Sequence, residues 1–160
     1  MSRCRATSAT KAFCNRLVAE DVRELGGLDI LVNNAARQIS HKDLAGISTQ
    51  DFDDTFKTNV YAMFWITKAA LPHLAPGAAI INTAAVNSYD RGKHIIDYAA
   101  TKGAIMIFTK GLAKQLADKG IRVNAVAATL QAVPPGRAVC SVRTAASATR
   151  KRTTSSDRAS

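Results

Sequence analysis

The chain has 160 residues, 47% of them hydrophobic, and a formal net charge of +10, which suits one domain with enough apolar material for a core. Residues 12–136 are nearly balanced in charge; the excess lies in Arg3, Arg5 and Lys11 and in residues 137–160, where Arg137, Arg143, Arg150, Lys151, Arg152 and Arg158 face Asp157 alone, so nucleic acid and a membrane surface are not the expected partners of the patterned part. The cysteines (Cys4, Cys14, Cys140) and histidines (His41, His73, His94) are too scattered for a zinc site or a disulfide framework, and no apolar run reaches the roughly 18 residues of a membrane span.

Without a secretory pattern at the start, a reducing cytoplasm is the expected location. The acid-free stretch from Met1 to Ala19 has the composition of an organelle transit peptide, but from Ala12 onward it already reads as a folded helix.

Phe13, Leu17, Val18, Val22 and Leu25 recur at helical spacing and Gly26-Gly27 follows as a stop, which predicts an amphipathic helix over Ala12 to Leu25. Leu28 to Asn33, with Ile30-Leu31-Val32 at its centre, reads as a strand. So do Ala79-Ile80-Ile81 and Ile121 to Ala127. Continuous apolar runs of this kind belong to strands of a parallel sheet. Between them lie two long helical patterns, the first opening at Ser48-Thr49-Gln50-Asp51 in the manner of a capping box and ending before Pro72 and Gly77. The second runs from Asp97 to Lys119 and stops at Gly120. Alternating helix and strand predict an α/β fold with consecutive crossovers that put all three helices on one side of the sheet, leaving the other face bare and the Leu28 to Asn33 edge open. Beyond Ala127 the pattern ends at Pro134-Pro135-Gly136, and the last 24 residues contain no aromatic, Leu, Ile or Met. The expected domains are a flexible basic start (1–11), a folded region (12–127) and a basic tail (128–160) that cannot order itself.

Asp97-Tyr98-Ala99-Ala100-Thr101-Lys102 sets a phenol and an ammonium four residues apart on one helix face. A phenol titrates near pH 10, and an ammonium beside it favours the phenolate, so such a pair can move a proton. The same spacing also occurs on ordinary solvated helix faces, and the pair gains meaning from its context. Leu28 to Ala36, ending in Asn33-Asn34-Ala35-Ala36, Thr58-Asn59-Val60, Ile80-Ile81-Asn82-Thr83-Ala84, Tyr98 to Lys102, and Gly120 to Val126 follow one another in an order and at separations that resemble the short-chain dehydrogenase/reductase family over residues 12 to 127. The resemblance implies part of a Rossmann-like doubly wound parallel sheet and an NAD(P)-dependent oxidoreductase that passes hydride between nicotinamide and an alcohol or carbonyl. In that reading Tyr98 is the general acid/base, and Lys102 lowers its pKa and holds the nicotinamide ribose. Asn59 interrupts regular helix bonding and holds a water that extends the proton relay, while Asn34, Ala35 and Ala36, with Tyr98 and Lys102, line NAD or NADP. Helices 48–75 and 97–119 correspond to those through which many members form homo-oligomers.

Three features depart from the family. Thirteen residues before Tyr98, where the family has its catalytic serine, stands Ala85, with Ser88 the nearest hydroxyl in the following loop. No Gly-x-x-x-Gly-x-Gly or Gly-x-Gly-x-x-Gly occurs among the nine glycines, so a phosphate-cradling turn is not present. Downstream, Ala127-Ala128-Thr129-Leu130 stands where the family continues into a Pro-Gly turn and a last strand. Activity is therefore expected to be impaired, and termini read from another frame would explain the abrupt loss of pattern at both ends. Two other functions compete: a non-catalytic relative acting through its helices alone, and a binding protein using its basic tail, whose affinity would fall steeply with salt.

Overall fold

The computed structural model describes residues 10–85, 93–128 and 142–145. Helix α1 (Lys11–Leu25) starts because the Thr10 hydroxyl accepts from the Phe13 N–H at 3.2 Å, and it ends where Gly26 adopts φ 76°, its N–H returning to Val22 O. A left-handed terminus of this kind costs glycine nothing and any larger residue strain. Strand β1 (Leu28–Asn33) has the bounds the apolar run indicated. Ser48 then caps α2 (Thr49–Phe56): its Oγ accepts from the Asp51 N–H at 3.0 Å and donates to the Asp51 carboxylate at 2.8 Å, which satisfies an otherwise free amide of the first turn.

The long helix expected after Ser48 is broken into pieces. A π turn, Lys57–Tyr61, separates α2 from α3 (Ala62–Ala70), and a 3₁₀ turn with Pro72 near its start closes α3. Strand β2 (Leu74–Ala85) is longer than its apolar centre, with a register irregularity opposite Leu28 and Ile30. Helix α4 (Ile96–Leu116) and β3 (Arg122–Ala128) follow. No described helix is long and apolar enough to cross a membrane.

The sheet order is β3-β2-β1-β4, where β4 is Val142–Ala145; β1 pairs parallel with β2, and β2 with β3. Leu31, Ile80 and Val123 lie side by side in that register and meet Leu17 and Val18 of α1, Ile66 and Ala70 of α3, and Leu112 and Leu116 of α4 in one buried cluster. Side chains alternate along a strand, so Ile30, Val32 and Ile81 point the other way. They are half-buried, and Val126 is 54% exposed; among the described residues no helix of the shared core covers that face, as the crossover pattern predicts.

One expectation is corrected. The β1 edge is not open, since β4 pairs antiparallel along it from Ile30 to Asn33. Residues 142–145 thus form a strand inside the 128–160 stretch expected to stay disordered. Pairing of this kind needs backbone N–H and C=O groups, not a large apolar side-chain area. The rest of that stretch and the basic start lie outside the described residues.

Candidate active site

β1 and β2 run parallel, so their C-terminal ends emerge on one side of the sheet, the place where ligands meet open α/β sheets. Asn33 and Asn82 face each other there in register. Asn33 Nδ2 donates to Asn82 Oδ1 at 2.8 Å and to Thr67 Oγ1 of α3 at 3.1 Å, and Asn82 Nδ2 donates to Thr109 Oγ1 of α4 at 2.9 Å. This buried ladder fixes both helices to the strand ends. The Thr109 hydroxyl donates in turn to the Ile105 carbonyl at 2.7 Å.

One residue further along, the Thr83 hydroxyl donates to Asn34 Oδ1 at 2.7 Å, and the Thr83 carbonyl accepts from Lys102 Nζ at 2.7 Å. Asn34 and Lys102 are thereby joined through a single residue of β2. Tyr98 and Lys102 are both 1% exposed, and Lys102 Nζ lies 5.3 Å from the centre of the Tyr98 ring, inside the range of a cation–π contact. Asn59 sits in the π turn. Its Oδ1 accepts from the Arg37 N–H at 2.6 Å, and its Nδ2 donates to the Arg37 carbonyl at 3.0 Å and to Thr101 Oγ1 at 2.9 Å. Ala35 and Asn59 border a cavity of about 10 Å³, shared with Asn33, Thr58 and Thr83. Ala36 is half-buried between Ala35 and the Arg37 backbone that Asn59 holds.

The structure thus gathers Tyr98, Lys102, Asn59, Asn34, Ala35 and Ala36 at one end of the sheet. Ala85, 1% exposed, ends β2 on the same side, while Ser88 lies outside the described residues. Motif reading missed the members that hold the others in place: Thr83, Thr101, Thr109, Arg37, Thr55 and Asp97. For Thr55, Asp97, Thr101 and Thr109, polar residues on the buried faces of helices were the available signal; Arg37, in a loop, and Thr83, in β2, gave none. Arg37 Nη1 donates to Thr55 Oγ1 at 2.9 Å, and Arg37 Nη2 to Asp51 Oδ1 at 2.8 Å. That bond, followed by the one from Ser48, holds the Asp51 carboxyl below the usual carboxylate range.

The electrostatics differ from expectation at Tyr98. An ammonium four residues away was expected to lower the phenol pKa, yet burial pushes it up from 10.0 to about 12. Burial also pushes Lys102 down from 10.5 to about 8. Low dielectric disfavours phenolate and ammonium alike. Between about pH 8 and 10.5 the unfolded chain holds more protons on Lys102 than the folded chain, so stability gains with rising pH in that window. Tyr98 acts in the opposite sense, contributing fully below pH 10 and losing its contribution as pH rises towards 12. We expect the urea midpoint to rise above pH 8 and fall beyond pH 10; Lys102→Met should remove the rise and Tyr98→Phe the fall. Profiles unchanged by either substitution would contradict these shifts.

Three parallel strands with helices on one face, and a tyrosine–lysine helix over their ends, form part of a Rossmann-like doubly wound sheet. A family model for short chain dehydrogenase matches residues 3–136, and the chain belongs to that family. It is 54% identical over 114 residues to the Bacillus subtilis (strain 168) protein named uncharacterized oxidoreductase YhdF, covering 71% of this chain and 39% of that protein. It is 47% identical over 114 residues to NADPH-dependent aldehyde reductase 1, chloroplastic, of Arabidopsis thaliana, covering 71% of this chain and 40% of the relative. The chain thus spans about two-fifths of the length of these relatives. Its structure is similar to a short chain dehydrogenase from Burkholderia cenocepacia J2315 in complex with NADP, with a TM-score of 0.71 and 34% identity, covering 74% of this chain and 49% of the other. Solved neighbours hold NADP or NAD, which makes NAD(P) the cofactor that the family resemblance supports.

Proposed function

We propose that the chain takes part in hydride transfer between a nicotinamide nucleotide and an alcohol or carbonyl, with Tyr98 exchanging the proton. The observation that carries this reading is the buried Tyr98–Lys102 pair at the strand ends, tied through Thr83 to Asn34. The residues present suit the nicotinamide-ribose half of the nucleotide. Lys102 Nζ has three donors, of which the Thr83 carbonyl takes one, so two can face ribose hydroxyls. Asn34, Ala35 and Ala36 offer a narrow polar edge beside small side chains.

When bound, the reduced nucleotide supplies the hydride, two electrons and one hydrogen, to a carbonyl carbon. Tyr98 is a neutral phenol at pH 7, as any phenol titrating near 10 is, and burial raises its pKa further; in that form it donates its proton to the carbonyl oxygen. Lys102 stands over the ring and returns a proton by way of the region around Asn59. The cavity of about 10 Å³ there matches one water molecule, and Asn33 Oδ1, a buried acceptor without a protein partner, would bind it. The aldehyde-reductase relative supports a small aldehyde as the substrate class. Homo-oligomers through the helical segments 48–75 and 97–119 fit the 47%, 42% and 68% exposure of Tyr61, Phe64 and Ile107.

The reading is tested by titrating the purified chain with NADPH and with NADH while following nicotinamide fluorescence, with sedimentation of the same sample. Saturable binding, weakened about tenfold or more by Lys102→Met, and a mass above that of one chain are expected. No binding by folded protein would overturn the enzyme reading and favour the competing function through the helices alone.

A further inference from the structure

We infer that Asp97 is a positioning residue: its carboxylate, acting through Thr55, locks the first turn of α4 to the loop after β1 and so sets the placement of Tyr98. The inference rests on the proposed role of Tyr98 but assigns work to residues outside that reaction.

The geometry begins with two parallel rungs. Thr55 Oγ1 and Asp97 Oδ2 are 2.8 Å apart, and Asn59 Nδ2 and Thr101 Oγ1 are 2.9 Å apart. Thr55 and Asn59 are four residues apart on one helix, as are Asp97 and Thr101 on the other, so both rungs lie on one face of α4 and meet one face of the α2 and π-turn segment. All four side chains are at most 1% exposed. Tyr98 follows the first rung residue and Lys102 follows the second, so the two rungs fix the rotation of α4 about its axis.

Both rungs converge on Arg37. Asn59 grips its backbone at N–H and C=O, while Thr55 Oγ1 accepts from its guanidinium, which also reaches Asp51 Oδ1 at 2.8 Å and the Asp51 carbonyl at 3.0 Å. The Thr55 hydroxyl accepts from a cation, and its single proton has two acceptors at 2.8 Å, Asp97 Oδ2 and the Asp51 carbonyl; the charged carboxylate is the stronger acceptor, and donation to it strengthens both bonds of the hydroxyl. No side chain caps α4 at Ile95; just before the helix, His94 meets the loop after β1 through its carbonyl, 2.7 Å from the His41 N–H, and its ring, 3.1 Å from the His41 carbonyl, and within the first turn the buried anchor is Asp97. Among the described residues Asp97 Oδ1 has no partner, and a buried carboxylate with an unused oxygen is costly. The bonded oxygen is what the rung needs, and asparagine would supply an equivalent acceptor.

Four variants separate this role from general stability: Asp97→Ala, Asp97→Asn, Thr55→Val and Thr55→Ser. The first readout is the NMR signal of Tyr98 in chain carrying ring-¹³C tyrosine, assigned with Tyr98→Phe; the second is NADPH affinity by nicotinamide fluorescence. Asp97→Ala and Thr55→Val should each shift or split the Tyr98 signal and weaken NADPH about tenfold, a loss of the kind misplacement brings. Asp97→Asn and Thr55→Ser should stay within about twofold of the parent, and the double variant Asp97→Ala with Thr55→Val should be no worse than either alone. An unchanged Tyr98 signal and affinity in folded Asp97→Ala, or losses that add in the double variant, would overturn the inference. If Asp97→Ala does not fold, the contrast between Thr55→Val and Thr55→Ser decides it. Should the parent chain bind no nucleotide, the hydride-transfer reading fails while the tyrosine signal still decides the role of Asp97.

Discussion

Ala85→Ser is expected to raise the turnover of NADPH-dependent aldehyde reduction by about 100-fold or more, since one donor aimed at a developing oxyanion contributes about 100 to 1,000-fold. Ala85 ends β2, shares a strand face with Thr83, and stands where the family places a serine thirteen residues before the tyrosine. Its methyl group cannot donate a hydrogen bond to a carbonyl oxygen as charge builds there, so in the proposed reaction Tyr98 would be the one donor. The added hydroxyl must fit a site only 1% exposed, and crowding of one atom costs about 1 kcal/mol or more of stability. Absorbance at 340 nm, followed at saturating NADPH with a small aldehyde, reads the effect. Tyr98→Phe in the same background should abolish the gain and take the rate below that of the parent, because the parent already depends on the Tyr98 proton. A gain below tenfold would mean that position 85 does not face the reacting oxygen.

The second large effect concerns the polar ladder at the strand ends. Asn82→Leu should destabilise the fold by about 3 kcal/mol, because an unpaired buried donor or acceptor costs about 1–3 kcal/mol and this change leaves two. One is the Asn33 Nδ2 hydrogen that Asn82 Oδ1 now accepts, and the other is the acceptor side of the Thr109 hydroxyl, which loses Asn82 Nδ2 while keeping its own donation to the Ile105 carbonyl. Asn82 is 0% exposed, so no solvent replaces those bonds. Urea unfolding followed by circular dichroism measures the loss, which corresponds to about 10 °C in Tm for a domain of this size. Adding Asn33→Leu should cost less than the sum of the two single changes, since two apolar partners leave fewer polar atoms stranded. Strict additivity would mean that the two amides do not act as a unit.

Local pattern carried much of this architecture. The bounds of β1, the Ser48–Asp51 cap and the glycine stop after α1 were legible because each depends on residues within four positions of one another. The interruption at Asn59 followed from the family likeness and coincides with the π turn. What stayed hidden was long-range. Arg37 meets Thr55 and Asn59 across 18 and 22 residues, and Thr55 meets Asp97 across 42, separations that carry no periodic signal. The direction of the Tyr98 shift was misjudged for a related reason: spacing reveals a neighbouring charge, whereas desolvation depends on everything packed around the ring. β4 was passed over because the composition of the tail is poor in large apolar residues, although Val142 and Thr144 have the branching that strands favour.

The amide pair at Asn33 and Asn82 also determines how the first two strands may align. Sliding β1 by one position against β2 would turn the Asn33 amide to the solvent side and bring Val32 or Asn34 opposite Asn82, leaving the Thr67 hydroxyl facing hydrocarbon. Leucine and isoleucine tolerate such slippage; two matched amides between two hydroxyls do not. Uniqueness of the strand alignment, and with it the position of every group at the sheet's end, therefore rests on polar recognition inside an otherwise oily interior.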